Sequence, residues 1–591
     1  MAYRIKFHAR KLSLIFVLCS LLFSVSACRD FLYEDSDQVI YADKDHLRDD
    51  ADTLWSVAGI MNKMQVIADR TILLGEVRAD LVDITSDASA DLRELAFFSA
   101  DADNKYNQPR DYYAIINNCN YFLAKADTAL RNSRNEQVFL SEYAAVKAFR
   151  AWTYLQLVLN YGSVPFITEP ILTKDESEKD YPKYDIGQIC RYFASDIAPF
   201  ADVETPTYNN IRNTASKLFY YPIYVLMGDL YLWAGDYRAA AESYYKYIST
   251  RNGTNTAYPL TTNAVRFLSN DSHWASTSDN WSTSAFYQET NTANAELITM
   301  IPGDSIPSEG NYSELRDLFN TTENNEYKNS LAPSQSIINL SAAQKYCHYT
   351  SGGEYVFAPD GLTENRTGDL RLQAIYTSME DFNIVSNGKR VTHYSVIQKY
   401  QTRNVHILRR ATIYLRLAEA LNRAGFPRFA FQLLKRGVNN SVLESEVIPY
   451  YPEAAEWLRS FNFPNNNYVL ETTAGLASEN TMGLHSRGSG YSASNEAYVL
   501  PDDTLLTDAQ ARLEYQMNGV EDLIVDEEAL ELAFEGQRFY DLMRVALRRN
   551  NPAYLASRIY ARRGSDHQAE MQQLIQADLN APANWYLKWD R

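Results

Sequence analysis

Apolar residues recur at intervals of three and four along much of the chain from about residue 45, and this spacing predicts amphipathic helices. Two runs illustrate it: "YYAIINNCNYFLAKADTAL" (residues 112–130) and "SEYAAVKAFRAWTYLQLVLNYGSVPF" (residues 141–166). In the second run Gly162 suits a left-handed C-terminal cap, and Pro165 cannot continue a helix. The pattern therefore predicts a helix that ends near residue 161.

The segment "VLMGDLYLWAGDYRAAAESYYKYI" (residues 225–248) has the pattern of a tetratricopeptide-type pair of helices. Gly228 and Ala240 are small residues where two helices would cross closely. Gly235 lies in the predicted turn, and Tyr237 and Tyr244 are expected to fill the space between the helices.

A second segment, "YLRLAEALNRAGFPRFAFQLLKRGV" (residues 414–438), repeats these offsets. Ala418 and Ala430 are the small residues at its predicted helix crossing, and Gly425 lies in its predicted turn. Leu434 is expected to fill the space between its two helices. Pro427 departs from the pattern, because the first unit has a tyrosine there. Two copies with the same internal offsets predict a helical-repeat scaffold.

Two stretches, residues 249–300 and 461–504, are rich in Ser, Thr and Asn and have no helical periodicity. Long irregular segments inside a compact protein are usually functional loops or disordered, and the Trp and Tyr content of these two argues against simple disorder. The predicted fold is mainly α, with a tetratricopeptide-like helical-repeat scaffold and a loop-rich, irregular second lobe.

The N-terminus has the pattern of a secretory signal peptide, in which the basic stretch "MAYRIKFHARK" precedes the apolar stretch "LSLIFVLCSLLFSV". A single-pass anchor is the alternative. Residues 25–28, "VSAC", resemble the lipobox of bacterial lipoproteins, which implies cleavage before Cys28 and acylation of that residue. An acidic, weakly apolar tether follows.

Charge and cysteine content exclude several classes of function. The chain has 56 Lys and Arg against 74 Asp and Glu, and its net charge of −18 repels nucleic-acid phosphates. Its five cysteines show neither CxxC nor zinc-ligand spacing, and the three outside the leader region argue against a disulfide framework. The 43 tyrosines are too many to be all buried, so many are expected at surfaces or in grooves.

The segment "ELAFEGQRFYDLMR" (residues 531–544) admits a catalytic and a structural interpretation. Glu531 and Glu535 would share one face of a helix, and glycoside hydrolases use two carboxyl groups about 5–10 Å apart. The structural interpretation is a helix with acid–base pairs at three-residue spacing. It assigns a structural role to Glu531, Glu535, Gly536, Arg538, Asp541 and Arg544.

Other catalytic patterns are missing from the sequence, which has no HExxH, GxSxG or Walker A motif. The stretch "GSGYSA" (residues 488–493) matches GxGxxA, but no apolar strand precedes it, so a flexible loop is favoured over a nucleotide site. The eight histidines are scattered. We therefore expect no catalytic residue, no metal site and no cofactor.

Aromatic residues in polar loops are the remaining candidates for binding. Trp274, Trp281, Phe286 and Tyr287 lie among Ser, Thr, Asn and Asp. A flat ring stacks on the C–H face of a sugar while amide, carboxylate and hydroxyl groups bond its hydroxyls, so this composition suits a carbohydrate platform. The alternative is that each ring folds back over the helical core.

Six stretches are distinctive when they are taken together: "SACRDFLYED", "VKAFRAWTYLQLVLNYGSVPFITEP", "RTGDLRL" (residues 366–372), "YLRLAEALNRAG", "DEEALELAFEGQRFYDLMR" and "NWYLKWD". This set resembles the SusD/RagB family of Bacteroidetes outer-membrane lipoproteins. The six stretches span nearly the whole chain in the family's order, and the segment after residue 525 resembles its C-terminal signature helix.

The resemblance implies four regions: a signal peptide (1–27), a lipidated tether (28–45), an N-terminal tetratricopeptide-like helical region (46–250) and a C-terminal SusD/RagB-like region with long loops and further helical repeats (251–591). It implies an acylated Cys28 at the outer membrane, facing the exterior. It also implies a SusC-like, TonB-dependent barrel transporter as partner, and an oligosaccharide ligand that is bound without cleavage.

No motif fixes the ligand-contacting residues, because family sites vary with the glycan. By analogy they come from one N-terminal loop and from loops in the middle of the chain. The candidate contacts are Tyr106, Trp274, Trp281, Phe286, Tyr287, Tyr346 and Tyr355. Peptide or glycoprotein-derived nutrients and a protein-interaction scaffold stay open as alternative functions, and a glycoside hydrolase is the enzymatic one.

Overall fold

In a computed structural model the described residues are 50–211, 214–252, 255–256, 265–268, 273–276, 296–304, 310–326, 328–349, 355–358, 368–369, 371–372, 376–385, 388–435, 437–463, 483–489, 498–564 and 568–589. The predicted signal peptide, Cys28 and the tether lie outside these residues. No helix within them is long and apolar enough to cross a membrane.

Helices account for most of the regular structure. They are α1 (Asp50–Glu76), α2 (Ala90–Ala96), α3 (Pro109–Lys125), α4 (Leu140–Tyr161), α5 (Lys174–Ser177), α6 (Ile186–Ile197), α7 (Ile223–Ala234), α8 (Tyr237–Ser249), α9 (Leu315–Phe319), α10 (Gln335–Ala343), α11 (Arg410–Arg423), α12 (Pro427–Lys435), α13 (Asn440–Val442), α14 (Ala455–Arg459), α15 (Ser486–Ser489), α16 (Ala509–Glu531), α17 (Arg538–Arg548), α18 (Ala553–Tyr560) and α19 (Gln568–Gln576). The mainly helical class predicted from the sequence is confirmed.

The described strands are short and form two-stranded antiparallel ladders. They are β1 (Val82–Ile84), β2 (Ser163–Pro165), β3 (Lys183–Asp185), β4 (Asn210–Ile211), β5 (Thr214–Ala215), β6 (Arg251–Asn252), β7 (Asn255–Thr256), β8 (Val265–Leu268), β9 (His273–Ser276), β10 (Leu297–Ile301), β11 (Leu331–Pro333), β12 (Tyr346–Tyr349), β13 (Tyr355–Ala358), β14 (Tyr376–Val385), β15 (Gly388–Ile397) and β16 (Val405–Arg409). Two ladders pair strands far apart in sequence. The ladder of β1 with β11 connects the predicted N-terminal and C-terminal regions, and the ladder of β10 with β16 lies within the predicted C-terminal region.

The longer helices stack in series. Helix α3 packs on α4, α4 on α6, α6 on α7, α7 on α8, α8 on α11, and α11 on both α12 and α16. Helix α1 contacts α3, α4 and α17, so the start and the end of the scaffold meet. One continuous hydrophobic core runs through this stack. Each helix pair buries an apolar face that it cannot bury alone, as in other helical-repeat proteins.

The first repeat unit folds as its sequence predicts. Gly235 ends α7 with φ 84°, and the Asp236 carboxylate accepts a hydrogen bond from the N–H of Ala239 at the start of α8. A Cβ atom at Gly228 would lie 2.6 Å from Cδ1 of Tyr244, so only glycine permits this helix crossing. Tyr244 is fully buried between the two helices, as predicted.

The second unit shows the same arrangement. Gly425 (φ 97°) follows α11, and Pro427 begins α12, where its missing N–H costs no helical hydrogen bond. Ala418, Ala430 and Leu434 are fully buried. The departure at Pro427 therefore leaves the helical pair intact.

The expectation of a continuous helix through residues 531–544 is wrong. Helix α16 ends at Glu531 and α17 begins at Arg538. In the turn between them Phe534 and Gly536 have φ values of 70° and 82°, in the left-handed region. A Cβ atom at Gly536 would lie 2.9 Å from the Cα of Ile72, so the turn packs directly on the backbone of α1.

Candidate functional site

Three of the seven candidate contacts lie on two neighbouring hairpins. Trp274 is on β9, opposite Phe267 of β8, while Tyr346 and Tyr355 are on β12 and β13. Strand β9 contacts β12, so the structure brings the backbones of these hairpins together. Trp281, Phe286 and Tyr287 lie outside the described residues.

The hairpins are linked to the helical scaffold through helix α15. This short helix contacts β12. Just before it, the N–H groups of Leu484 and His485 donate hydrogen bonds of 3.1 Å to the carbonyls of Leu433 and Leu434 at the end of α12. Near the start of the polar stretch at 461–504, Phe463 and Asn440 exchange hydrogen bonds: the Phe463 N–H donates to Asn440 Oδ1 (2.8 Å), and the Asn440 N–H donates to the Phe463 carbonyl (2.9 Å).

The seventh candidate, Tyr106, lies in the loop between α2 and α3, and its side chain is only 5% exposed. Its N–H donates to Asn104 Oδ1 (3.0 Å), and Asn104 in turn donates to Glu94 Oε2 (2.8 Å), which fixes the loop on α2. Burial raises the pKa of the Tyr106 phenol to about 12. A ligand at this loop would therefore meet the residues around Tyr106 before the ring itself.

The surface beside Tyr106 combines charged, amide and aromatic groups. Lys105 Nζ lies 2.7 Å from Glu314 Oε2 and 4.9 Å from the centre of the Tyr106 ring, and both charged side chains are about half exposed. Close by in sequence, Tyr312 is half-buried and its hydroxyl accepts a hydrogen bond from Asn324 Nδ2 (2.6 Å). We call Lys105, Tyr106, Tyr312, Glu314 and Asn324 the Tyr106 surface.

One face of the Tyr312 ring is covered by a guanidinium group. Arg403 Cζ lies 3.8 Å from the ring centre, and Arg403 is held by Asp317 Oδ2 (2.7 Å) and the Ser313 carbonyl (2.9 Å). Sequence reasoning missed Tyr312. Its sequence signal, a tyrosine within "GNYSE", is the same polar-aromatic pattern that singled out Trp274.

Asp69 of α1 fixes this surface to the scaffold. Its carboxylate accepts hydrogen bonds from Ser313 Oγ (2.6 Å) and from the N–H of Glu314 (2.8 Å). Burial raises the pKa of Asp69 to about 6, against the lowering effect of these two bonds. The segment at residues 313–314 is thus held in place by a carboxylate on a long helix.

The carboxylates of the C-terminal signature belong to a buried ion cluster. Glu531 is fully buried, and its carboxylate forms ion pairs with three arginines. The Nη1 atoms of Arg371, Arg409 and Arg487 each lie 2.8 Å from a carboxylate oxygen of Glu531. These arginines hold the pKa of Glu531 well below its usual range. Ten side chains make up the buried ion cluster: Glu296, Asp369, Arg371, Lys399, Arg409, His485, Arg487, Glu527, Glu531 and Glu535.

Two sequence segments enter this cluster from outside the helical repeats. Asp369 and Arg371 come from the "RTGDLRL" stretch, and Arg371 reaches Glu527 of α16 at 2.6 Å. His485 and Arg487 come from the segment at α15, and His485 Nδ1 lies 2.9 Å from the same Glu527. The cluster therefore attaches both segments to α16.

Glu535 lies in the turn after α16 and pairs with Lys399 and with Arg409 Nε (2.8 Å). Burial lowers the pKa of Lys399 to about 8. The two cations hold the pKa of Glu535 below its usual value, against the effect of burial. A general acid needs a raised pKa and access to substrate, and neither Glu535 nor Glu531 has them. This pair cannot act as the carboxyl pair of a glycoside hydrolase.

The expected pairing of Glu535 with Arg538 is wrong, because Arg538 lies beyond the turn and binds Asp80 (2.7 Å). The expected pair of Asp541 and Arg544 is present at 2.9 Å, and Arg544 also binds Glu419 of α11. Each basic residue of α17 thus connects this helix to another part of the scaffold.

Another buried carboxylate lies where α1 meets this turn. Glu76 is fully buried, and its Oε1 accepts a hydrogen bond from the N–H of Gly536 (2.8 Å). Burial raises the pKa of Glu76 to about 8. Among the described residues, no group of three or more His, Cys, Asp or Glu side chains is arranged to hold a metal ion.

Comparison with known proteins identifies the relatives of this chain. Residues 502–587, which contain the four helices α16 to α19, match the model of the SusD family. None of the curated protein sequences matches the chain.

The fold is shared with solved structures over nearly its whole length. A SusD superfamily protein from Bacteroides vulgatus ATCC 8482 aligns with a TM-score of 0.55 at 14% identity, covering 90% of this chain and 93% of its own. A SusD-like protein from Bacteroides fragilis NCTC 9343 aligns with a TM-score of 0.51 at 17% identity, covering 84% and 86%. A SusD-like carbohydrate binding protein from the same organism gives 0.51 at 14% identity, covering 85% and 87%. The resemblance to the SusD/RagB family is confirmed.

Proposed function

We propose that this protein is a cell-surface lipoprotein that binds oligosaccharides and delivers them, uncleaved, to a SusC-like, TonB-dependent transporter of the outer membrane. The observation that carries the proposal is the fold. It matches SusD superfamily structures over nearly the whole chain, and one of these is described as a carbohydrate binding protein.

The chemistry of the described surface supports an oligosaccharide ligand. The Tyr106 surface offers Tyr312 as a half-buried ring, with the amide of Asn324 and the Lys105–Glu314 pair beside it. Rings bind the C–H faces of sugars, while amide and charged groups bond their hydroxyls. Trp274 on its hairpin is the second proposed contact region, with Tyr346 and Tyr355 on the neighbouring one.

Binding without cleavage is supported by the state of the only carboxylate pair that the sequence singled out. Glu531 and Glu535 lie inside the buried ion cluster, neutralised by arginine and lysine side chains. These two carboxylates stabilise the fold. The proposed role is therefore capture of the ligand, and hydrolysis is left to other enzymes.

The lipobox-like "VSAC" supports acylation at Cys28 and attachment to the outer membrane. Several acyl chains, each contributing roughly 0.8 kcal/mol per buried CH₂, would hold the protein there firmly. A protein fixed beside its transporter can work with weak ligand binding. A millimolar Kd, which corresponds to a binding free energy of about −4 kcal/mol, is sufficient when attachment to the membrane raises the local concentration of the binding partners.

A glycan-binding screen tests the proposal. The soluble form starting after Cys28 is examined by affinity electrophoresis and calorimetry against plant, host and microbial glycans, and reducing-end release is followed in the same samples. We expect saturable binding to at least one glycan class and no release of reducing ends. Release of reducing ends would overturn the proposal in favour of a hydrolase, and failure of every glycan to bind would favour a peptide ligand.

Two variants then locate the site. The Trp274→Ala/Trp281→Ala double variant should lose retention by the glycan, and Tyr312→Ala should weaken it. Tyr450→Ala is the matched control, because it removes a tyrosine that is 54% exposed but is not a candidate contact. Unchanged retention by the double variant would remove both tryptophans from the site.

A further inference from the structure

The charges on the Tyr106 surface decide which kind of oligosaccharide it can accept. Two sequence segments supply this surface, residues 91–105 and residues 312–326, and they meet at the pair of Lys105 and Glu314. The first segment carries four acidic and two basic side chains, and the second carries four acidic and one basic. The surface therefore has an excess of negative charge, and an anionic ligand would need a free cation on it.

Lys105 is the cation beside the Tyr106 ring, and its charge is already used by Glu314. Its Nζ lies 2.7 Å from Glu314 Oε2 and 4.9 Å from the centre of the ring. Desolvation alone would lower the pKa of Lys105, but the hydrogen bond to Glu314 outweighs it and raises this pKa above its usual value. The ammonium group is therefore charged and paired, so it offers an incoming anion little net attraction.

The other cations near the two rings are not available to a ligand on them. Arg403, which covers one face of Tyr312, pairs with Asp317 through Nη1 (2.7 Å) and Nη2 (3.1 Å). Arg93 donates hydrogen bonds to three backbone carbonyls that precede α2. Arg316 of α9 is exposed and, among the described residues, makes no cation–π contact with either ring.

Several carboxylates of α2 and of the loop after it have only neutral hydrogen-bond partners. Asp91 Oδ1 accepts a hydrogen bond from the backbone N–H of Lys105 (3.0 Å), and Glu94 Oε2 accepts one from a side-chain amide (2.8 Å). Asp101 Oδ1 accepts one from the N–H of Asp103 (2.9 Å). In the part of the chain that the structure describes, no Lys or Arg side chain pairs with any of these carboxylates. They would repel an anionic ligand.

An uncharged sugar avoids this cost. Each of its hydroxyl groups both donates and accepts hydrogen bonds, so it can bond to the Lys105 ammonium and the Glu314 carboxylate without separating them. A carboxylate or sulfate group only accepts, so it would compete with Glu314 for Lys105 while lying close to a like charge. The ion pair thus favours hydroxyl groups over anionic groups at this position.

We propose that Glu314 is a specificity-determining residue, which adapts the Tyr106 surface to uncharged oligosaccharides by neutralising Lys105. Oligosaccharides that carry carboxylate or sulfate groups are excluded by repulsion. Specificity of this kind comes from an unfavourable contact with the wrong ligand as well as from favourable contacts with the right one. The inference rests on the proposed function, because it takes the Tyr106 surface as an oligosaccharide contact.

Matched probes isolate the effect of charge. Maltohexaose, cellohexaose and mannohexaose are each prepared unmodified, oxidised to the carboxylate at C6, and as the methyl ester of that carboxylate. The ester and the carboxylate have nearly the same size and differ in charge. Binding to the soluble form starting after Cys28 is measured by calorimetry. We expect the carboxylate form to bind at least about tenfold more weakly than its ester, and the difference to shrink as salt is raised.

Hexasaccharides of galacturonan, hyaluronan and heparin are tested as anionic probes in the same way. Binding of any of them, or of a C6 carboxylate as tightly as its ester, would overturn the inference and leave the proposed function in place. Absence of binding to every probe would also overturn the inference. Only the lack of any retained glycan in the wider screen would overturn the proposed function as well, so the two failures are distinguishable.

Two variants of the ion pair assign the effect to Glu314. Glu314→Gln frees Lys105 and should strengthen binding of the carboxylate form, relative to its ester, about three- to fivefold. Lys105→Gln leaves Glu314 unpaired and should weaken it by a similar factor. Both variants remove the same ion pair and keep the hydrogen bond from the Glu314 N–H to Asp69. A merely structural role would shift both ratios in the same direction.

Glu444→Gln is the matched control, because it removes a carboxylate from a similarly exposed pair with Arg459. It should leave the ratio of carboxylate to ester binding at the parental value. A parental ratio in Glu314→Gln, or shifts of the same sign in Glu314→Gln and Lys105→Gln, would overturn the inference. If one of these two variants fails to fold, a parental ratio in the other overturns it.

Discussion

Replacing Gly536 by alanine should strongly destabilise the fold, because the residue combines a left-handed conformation with a close backbone contact. Its φ of 82° costs a residue with a Cβ atom about 1–2 kcal/mol. The new Cβ would also meet the carbonyl oxygen of Thr71 and would lie 2.9 Å from the Cα of Ile72, both of them backbone atoms of α1. Forcing such a contact costs about 1–3 kcal/mol more. The expected total is about 2–5 kcal/mol.

Gly235→Ala separates the two effects. Gly235 has nearly the same φ, 84°, but a Cβ atom placed there meets nothing within 4 Å. We therefore expect it to lose only the conformational part, about 1–2 kcal/mol. Gly425→Ala, with φ 97° and equally open surroundings, is a second control.

The assay is urea unfolding of the three variants and the parent, starting after Cys28 and followed by far-ultraviolet circular dichroism. Free energies of unfolding are compared at one pH. If Gly536→Ala lowers the free energy of unfolding no more than Gly235→Ala does, the close contact between the turn and α1 does not contribute to stability, and our account of this glycine is wrong.

Three further predictions concern buried titratable groups. The pKa of Glu76 in the fold, about 8, exceeds its unfolded value near 4.5, so its contribution to stability is fully present below about pH 4.5 and is lost as the pH rises through about 8. Free energies of unfolding measured from pH 5 to 9 should therefore show Glu76→Gln becoming more stable relative to the parent as the pH rises. Parallel pH curves for the two proteins would contradict this. Glu531→Gln should cost about 3–5 kcal/mol in urea unfolding because it leaves three buried arginines short of one carboxylate, whereas Glu444→Gln, at an exposed pair with Arg459, should leave the midpoint unchanged. Cys119 and Cys190 are buried, and burial raises the pKa of Cys119 to about 12 and also raises the pKa of Cys190. In a Cys347→Ser form that starts after Cys28, both thiols should therefore resist a thiol reagent until urea is added. Prompt labelling of the native form would show that they are accessible.

The helical pairs could be predicted from the sequence because their determinants are local. Gly228 and Tyr244 lie sixteen positions apart on adjacent helices, and the apolar spacing that forms the helices also sets the crossing. The break between α16 and α17 could not be predicted from spacing, because residues 531–544 fit a helical period throughout. What ends α16 there is tertiary: the turn is held by Glu76 and packs on α1.

The ionic partners of the C-terminal signature show the same limit. Spacing along one helix suggested neighbours three residues apart, and this holds for Asp541 and Arg544. Arg538 instead binds Asp80, which is more than 450 positions earlier. Charge pairs over such separations depend on how the helices stack. The position of the segment at residues 313–314 is likewise tertiary, because Asp69 of α1 binds Ser313 and Lys105 pairs with Glu314.

The fixed positions of Phe463 and Leu484 have a consequence for how the protein diversifies. Phe463 is held by Asn440 and Leu484 by the end of α12, so the hydrogen bonds that fix both positions come from the helical scaffold. These bonds do not depend on the sequence that joins the two positions. Natural selection can therefore change that sequence without removing them, while the helical frame stays the same.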